Sequence, residues 1–90
     1  MDLVLIGAGG HAKALVAATI DSGHTIVAYA DPQESLWLDR PRVTDDPESW
    51  PQGVRAAVLG LGGASPPVLE RRLVLMSSLL DQGIDFPPIS

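Results

Sequence analysis

The sequence predicts an α/β domain: a small Rossmann-like, three-layer fold with a parallel sheet and helices on both faces. Three observations carry that expectation. Leu3–Ile6 and Val54–Leu59 are short, continuous apolar runs, the pattern of strands buried on both faces. Each run is closed by a glycine turn and then by a stretch with helical periodicity. The order along the chain is strand, helix, strand, irregular piece, strand, helix and short strand, which calls for right-handed crossovers and a parallel sheet.

The elements follow in sequence. Leu3-Val4-Leu5-Ile6 is the first strand, and Gly7-Ala8-Gly9-Gly10 is the turn after it. His11 to Asp21 reads as a helix with Ala12, Leu15, Val16, Thr19 and Ile20 on one face, ended by Gly23 as a left-handed residue. Thr25–Ala30 is the second strand and stops at Asp31-Pro32. Arg42-Val43 reads as a short strand and Pro47–Trp50 as one helical turn. Val54–Leu59 is the third clear strand, closed by Gly60-Leu61-Gly62-Gly63. Ser65-Pro66 fits an N-cap followed by proline at the first helical position. Leu69, Leu73, Met76 and Leu80 form one stripe of the helix that follows, and Gly83 ends it. Ile84-Asp85-Phe86 reads as a last edge strand before Pro87-Pro88.

Ninety residues leave room for a single domain, 1–90. Six acidic residues and four prolines fall in 31–55, which makes the middle punctuated and solvent-facing while both ends are regular and apolar. A net charge of −5 argues against nucleic-acid binding, whose usual footprint is a basic patch. It leaves open one phosphorylated small molecule, which backbone N–H groups can hold. Without cysteine there is no disulfide, thiolate metal site or cysteine nucleophile. No apolar run reaches the roughly 18 residues of a membrane span. Met1–Ile6 lacks a basic leader, so the expected compartment is the cytoplasm.

Gly7-Ala8-Gly9-Gly10-His11-Ala12 matches G-x-G-x-x-A directly after a strand and at a helix start. Gly7 permits a tight turn, Gly9 lets a ligand approach the backbone, and Ala12 lets the helix sit close to the strand. Free N–H groups and the dipole at the helix start favour an anion. Asp31 ends the second strand, where dinucleotide folds place a ribose-binding carboxylate. The loop beginning at Gly60 reaches the same sheet edge, where ligands of open parallel sheets bind. The bland reading is that these glycines only serve tight strand–helix turns. No serine or carboxylate lies beside His11 in sequence to make it a general base, so His11 is assigned to the ligand mouth or to solvent. Lys13 could neutralise a phosphate from the first helical turn; a lone helix lysine is otherwise solvated. His24 reads as a surface residue, and two histidines without a third ligand make no metal site. Asp45, Asp46 and Glu48 read as a solvated helix start, with a divalent-ion site as the alternative. Arg71 and Arg72 read as solvent-facing, although one could reach a phosphate. Trp37 and Trp50 either cover a core edge or form an interface.

The run Leu3 to Lys13, followed by Val27-Ala28-Tyr29-Ala30-Asp31, resembles the N-terminal domain of the PglD/NeuD-type sugar acyltransferases, which include sialic-acid O-acetyltransferases. The likeness extends through Pro41–Asp46, Ala57–Gly63 and the helix from Pro66 to Gly83, nearly the whole chain. It implies a domain that holds a UDP-sugar through Gly7, Ala8, Gly9, Gly10, His11 and Asp31, with Gly62 from the later loop; Lys13 joins this set on the phosphate argument. In that family a left-handed β-helix of hexapeptide repeats follows, trimerises, binds acetyl-CoA and supplies a catalytic histidine. No such repeat occurs in these 90 residues. The resemblance therefore implies no catalytic base and no acetyl-CoA cofactor site here, and a domain that is monomeric alone; the absence of a metal site rests on the histidine count. Two positions differ from the family's pattern: Gly62-Gly63-Ala64 stands where a glycine, aspartate and asparagine are usual, and Pro32 follows Asp31 in place of a second acidic residue.

The expected function is thus substrate binding for a sugar O- or N-acetyltransferase, without its catalytic half. The alternatives are the NAD-binding module of a truncated dehydrogenase and a non-enzymatic interaction domain.

Overall fold

A computed structural model of the chain describes residues 1–9, 12–60 and 65–89. It is an α/β domain whose four strands form one all-parallel sheet. The elements are β1 (Asp2–Ile6), α1 (Lys13–Asp21), β2 (Thr25–Ala30), β3 (Arg42–Val43), a 3-10 turn at Pro47–Ser49, β4 (Ala57–Leu59) and α2 (Pro66–Asp81). The strand order is β3-β2-β1-β4. The chain thus runs outward from β1 to β3 and then crosses back to place β4 on the other side of β1. The expected last strand contracts to a single parallel bridge between Ala56 and Asp85, on the outer side of β4.

β1 is central because it is apolar throughout. Leu3, Val4 and Leu5 are fully buried. Alternation then divides the core into two layers. Leu3 and Leu5 join Ala12, Val16 and Val58 on the α1 side. Val4 and Ile6 join Ala57, Leu79 and Ile84 on the α2 side. β2 breaks its own alternation once: Leu3 pairs with Ile26 but Val4 pairs with Ala28, leaving Val27 as an extra residue. This bulge puts both Ile26 and Tyr29 on the α1 side although they are three residues apart. β3 pairs only with Tyr29 and Ala30. Lower down that edge the Arg40 Nε–H donates to the Ile26 carbonyl at 2.9 Å, satisfying a group that no strand covers.

Several boundaries differ from expectation. α1 runs from Lys13 with Ala12 as its N-cap; the expected start at His11 lies outside the described residues. Ala12, Val16 and Thr19 are buried, but Ile20 is 57% exposed. At about 100° per residue Ile20 sits roughly 75° from the centre of that stripe, at the margin of the buried face. Thr19 stays in the core by donating its hydroxyl to the Leu15 carbonyl at 2.7 Å. Gly23 and Gly83 take positive φ after their helices, as expected of left-handed terminators. His24 is half-buried rather than exposed. Val54–Ala56 are not part of β4, which is three residues long.

The largest correction concerns α2. The stripe Leu69, Leu73, Met76 and Leu80 is turned away from the sheet, with Leu73 and Leu80 about half exposed. The buried row is one position earlier: Leu79 is fully buried and Leu75 packs beside it. Continued up the helix at the same spacing, that row passes through Arg72 and Val68. The arginine interrupts its apolar character, so the neighbouring stripe looks the more continuous. Among the described residues, no helix is long and apolar enough to cross a membrane.

The two rows give opposite expectations in urea denaturation. Leu79→Ala should cost about 2–5 kcal/mol, the range for a large buried side chain. Leu80→Ala should cost less than about 1 kcal/mol. Equal losses would show the helix rotated from this arrangement.

Candidate ligand-binding site

The site forms where β1, β2 and β3 reach their carboxyl ends. β1 leaves the sheet through Gly7, whose φ of 84° is the left-handed region open to glycine. The Gly7 N–H donates to the Ala30 carbonyl at 2.8 Å, which ties the turn to the end of β2. The next amide, that of Ala8, donates to Asp31 Oδ2 at 2.8 Å. The other carboxylate oxygen, Oδ1, accepts from the Gln33 N–H at 2.8 Å across Pro32, forming an Asx turn. Asp31 therefore clasps the glycine turn to the loop after β2. Each of its oxygens retains acceptor capacity, since a carboxylate offers about four lone-pair sites.

On the α1 side, Trp37 closes the turn from outside. Its indole N–H donates to the Ala8 carbonyl at 3.0 Å. The Lys13 ammonium lies over the Trp37 ring, 5.8 Å from its centroid. Lys13 thus engages an aromatic face beside the turn.

On the α2 side the backbone is crowded. The Gly60 N–H donates to the Ile6 carbonyl at 2.8 Å, extending the β1–β4 ladder by one step. A Cβ on Gly60 would lie 2.5 Å from the Gly7 carbonyl oxygen. Arg72 spans the two glycines: its guanidinium donates to the Gly60 carbonyl, and its Cζ would be 2.8 Å from a Cβ on Gly7. Gly9 has nothing within 4 Å of the position a Cβ would take.

A cleft of about 610 Å³ opens at this edge, on the α2 side. Its floor is the sheet end, with Ile6, Ala30 and Val43 from the core layer under α2. Gly7 and Asp31 form one wall, and the row Val68, Arg72 and Leu75 of α2 forms the other. Arg42, Asp45 and Arg71 complete the rim. The side chains of Arg42 and Arg71 make no hydrogen bond or ion pair to any described residue. The chain has six basic residues and a net charge of −5, yet three of the six face this one cleft.

Of the residues singled out from sequence, Gly7, Ala8, Gly9 and Asp31 converge on one turn, and Gly7 and Asp31 line the cleft. Lys13 sits on the opposite side, against Trp37. Gly10, His11 and Gly62 lie outside the described residues. Among the described residues no group of three or more His, Asp and Glu is placed to hold a metal ion. Asp46 instead caps the 3-10 turn, its Oδ1 accepting from the Glu48 N–H at 3.0 Å. Sequence reasoning missed Arg42 and took Arg72 for a solvent-facing residue. The signal for Arg72 was present: it lies three and seven positions before Leu75 and Leu79, on the same helix row.

No protein-family model, curated protein or solved structure matches the chain.

Two expectations follow from the turn. Asp31→Asn leaves one oxygen for two amide donors, and should lower stability by about 1–3 kcal/mol. Amide exchange should quicken at Ala8 or Gln33; unchanged protection at both would show that the clasp does not form. Gly60→Ala should cost about 1–3 kcal/mol by forcing the backbones apart. Gly9→Ala, in open space, should stay within about 1 kcal/mol of the parent. Thermal melts of the two variants distinguish these cases, and a neutral Gly60→Ala would refute the close approach.

Proposed function

We propose that this chain is a UDP-sugar-binding domain, the substrate-holding part of a sugar O- or N-acetyltransferase. The observation that supports it most is that Gly7 and Asp31 border one cleft at the carboxyl edge of a parallel sheet. In such sheets the crevice outside the strand ends is where ligands bind. Its volume lies within the usual range of about 300–1,000 Å³ for small-molecule sites. The likeness of the first 31 residues to the sugar acyltransferases supplies the ligand class.

On this reading the residues present do binding work only. The carboxylate of Asp31 uses its remaining acceptor capacity for ligand hydroxyl groups. Gly9, with open space where a side chain would project, lets the ligand lie against the backbone. Holding the nucleotide end fixes the position of the sugar's amine or hydroxyl, so that remote binding energy is used for orientation. Acetyl-CoA and the base that activates the acceptor belong to the hexapeptide-repeat part of such enzymes, which these 90 residues do not contain.

The test is a titration with UDP-N-acetylglucosamine followed by amide NMR. Signals of residues 7–13 should shift, and Gly9→Ala should weaken binding at least tenfold while melting normally. Unmoved signals at millimolar ligand count against the reading. Saturation by NAD without response to the UDP-sugar would transfer the domain to the dehydrogenase class.

A further inference from the structure

The glycine turn and the cleft beside it differ in electrostatics. The motif at Gly7–Ala12 is the kind that receives phosphate on free backbone amides. Here three of the described amides are already committed. Gly7 donates to Ala30, Ala8 to Asp31 and Ala12 to the Gly9 carbonyl at 2.8 Å. The partner of Ala8 is itself an anion, so a phosphate at that amide would meet a carboxylate at hydrogen-bonding distance. The one cation of the first helical turn, Lys13, rests on Trp37. These three amides and Lys13 thus offer a phosphate little.

The α2 side offers the opposite. Arg42 and Arg71 border the cleft without a partner among the described residues. Arg72 is fixed between Gly7 and Gly60, with one N–H group on the Gly60 carbonyl and further donors remaining. Guanidinium groups pair with phosphate oxygens through two parallel N–H donors, the strongest common phosphate contact. The two arginine-bearing elements, β3 and α2, both line this cleft, so one ligand can meet both.

We infer that the phosphates of the ligand bind in the cleft between β3 and α2, on Arg42, Arg71 and Arg72, and not on the amides of Gly7, Ala8 and Ala12. This builds on the nucleotide-sugar reading and fixes the direction in which such a ligand lies. The diphosphate sits toward α2. Asp31 and Asp45, the two carboxylates of the rim, are left to hydroxyl groups at its other parts, because a carboxylate repels phosphate and accepts from hydroxyls. The recognised chemistry is a compact phosphate dianion or diphosphate carrying a polyhydroxylated group.

The test uses two probes, inorganic pyrophosphate and UDP-N-acetylglucosamine, on the parent chain and on an Arg42→Gln/Arg71→Gln double variant. Arg55→Gln, at an exposed site away from the cleft, is the control. Both substituted arginines are exposed, so the double variant should fold, and its amide spectrum checks that. Both probes should bind the parent and lose at least tenfold affinity in the double variant, with Arg55→Gln unchanged. Amide shifts with pyrophosphate should fall on residues 42–45 and 68–75. If UDP-N-acetylglucosamine binds the double variant as tightly as the parent, the phosphate placement is overturned and the nucleotide-sugar reading survives. If pyrophosphate binding depends on the arginines but the UDP-sugar binds no tighter than pyrophosphate, the placement holds and the nucleotide-sugar reading fails. Absence of binding by both probes to the parent overturns both.

Discussion

The carboxyl edge of this domain depends on how β1 leaves the sheet. Gly7 does it without a side chain, in a left-handed conformation, and meets three other elements at once. Its N–H holds the end of β2, its carbonyl oxygen lies against Gly60 at the end of β4, and its open α-carbon receives the guanidinium of Arg72 from α2. A side chain here would meet strain and collision together. Because β1 is the central strand, the same residue sets the spacing between both halves of the sheet and both walls of the cleft. Asp31 then fixes the following amide, so the turn is held by a charged acceptor as well as by backbone.

Among the described residues two regular helices cover the two-sided sheet, and the irregular middle adds to that cover. Each core layer receives one tryptophan from it. Trp37 packs on the α1 side and bonds to the Ala8 carbonyl; Trp50 packs on the α2 side and donates its N–H to the Thr44 carbonyl at 2.8 Å. A large ring with one polar edge suits this task, since it buries apolar area while satisfying a loop carbonyl. The prolines and carboxylates around them serve turns: Asp31 and Asp46 each accept from the amide two residues on. Acidic residues that look like a charge cluster in sequence are, in part, the hydrogen-bond partners of a segment with little regular structure.

The strands and glycine terminators were legible because each rests on a local rule. An unbroken apolar run such as Leu3–Ile6 has no exposed face to lose, and Gly23 and Gly83 stand where a helix must stop. The same holds for the grouping of Gly7, Ala8, Gly9 and Asp31, which follows from strand order. What Asp31 holds was not legible. Its partner is an amide 23 residues away, and nothing in spacing distinguishes a carboxylate that binds a ligand from one that first binds its own loop. The facing of α2 was misread because the true row contains Arg72, whose aliphatic stem follows the helix surface while its head reaches two glycines. Ile20 was misread for a related reason: a nine-residue helix has little length over which a stripe can average, so its last apolar residue falls at the margin.

The strand order also sets the sequence in which the domain can assemble. β2 reaches β1 by closing a loop of fewer than twenty residues, whereas β4 must return across about fifty, a difference of about 1 kcal/mol in closure entropy. β1, α1 and β2 can therefore associate early, already carrying the Asp31 clasp within one contiguous stretch. β4 and α2 complete the sheet later, and only then does the cleft have its second wall. Whatever occupies that cleft touches both the early and the late part of the chain. Its binding is thereby thermodynamically linked to the final docking step, and ligand availability acts on the persistence of the fold itself.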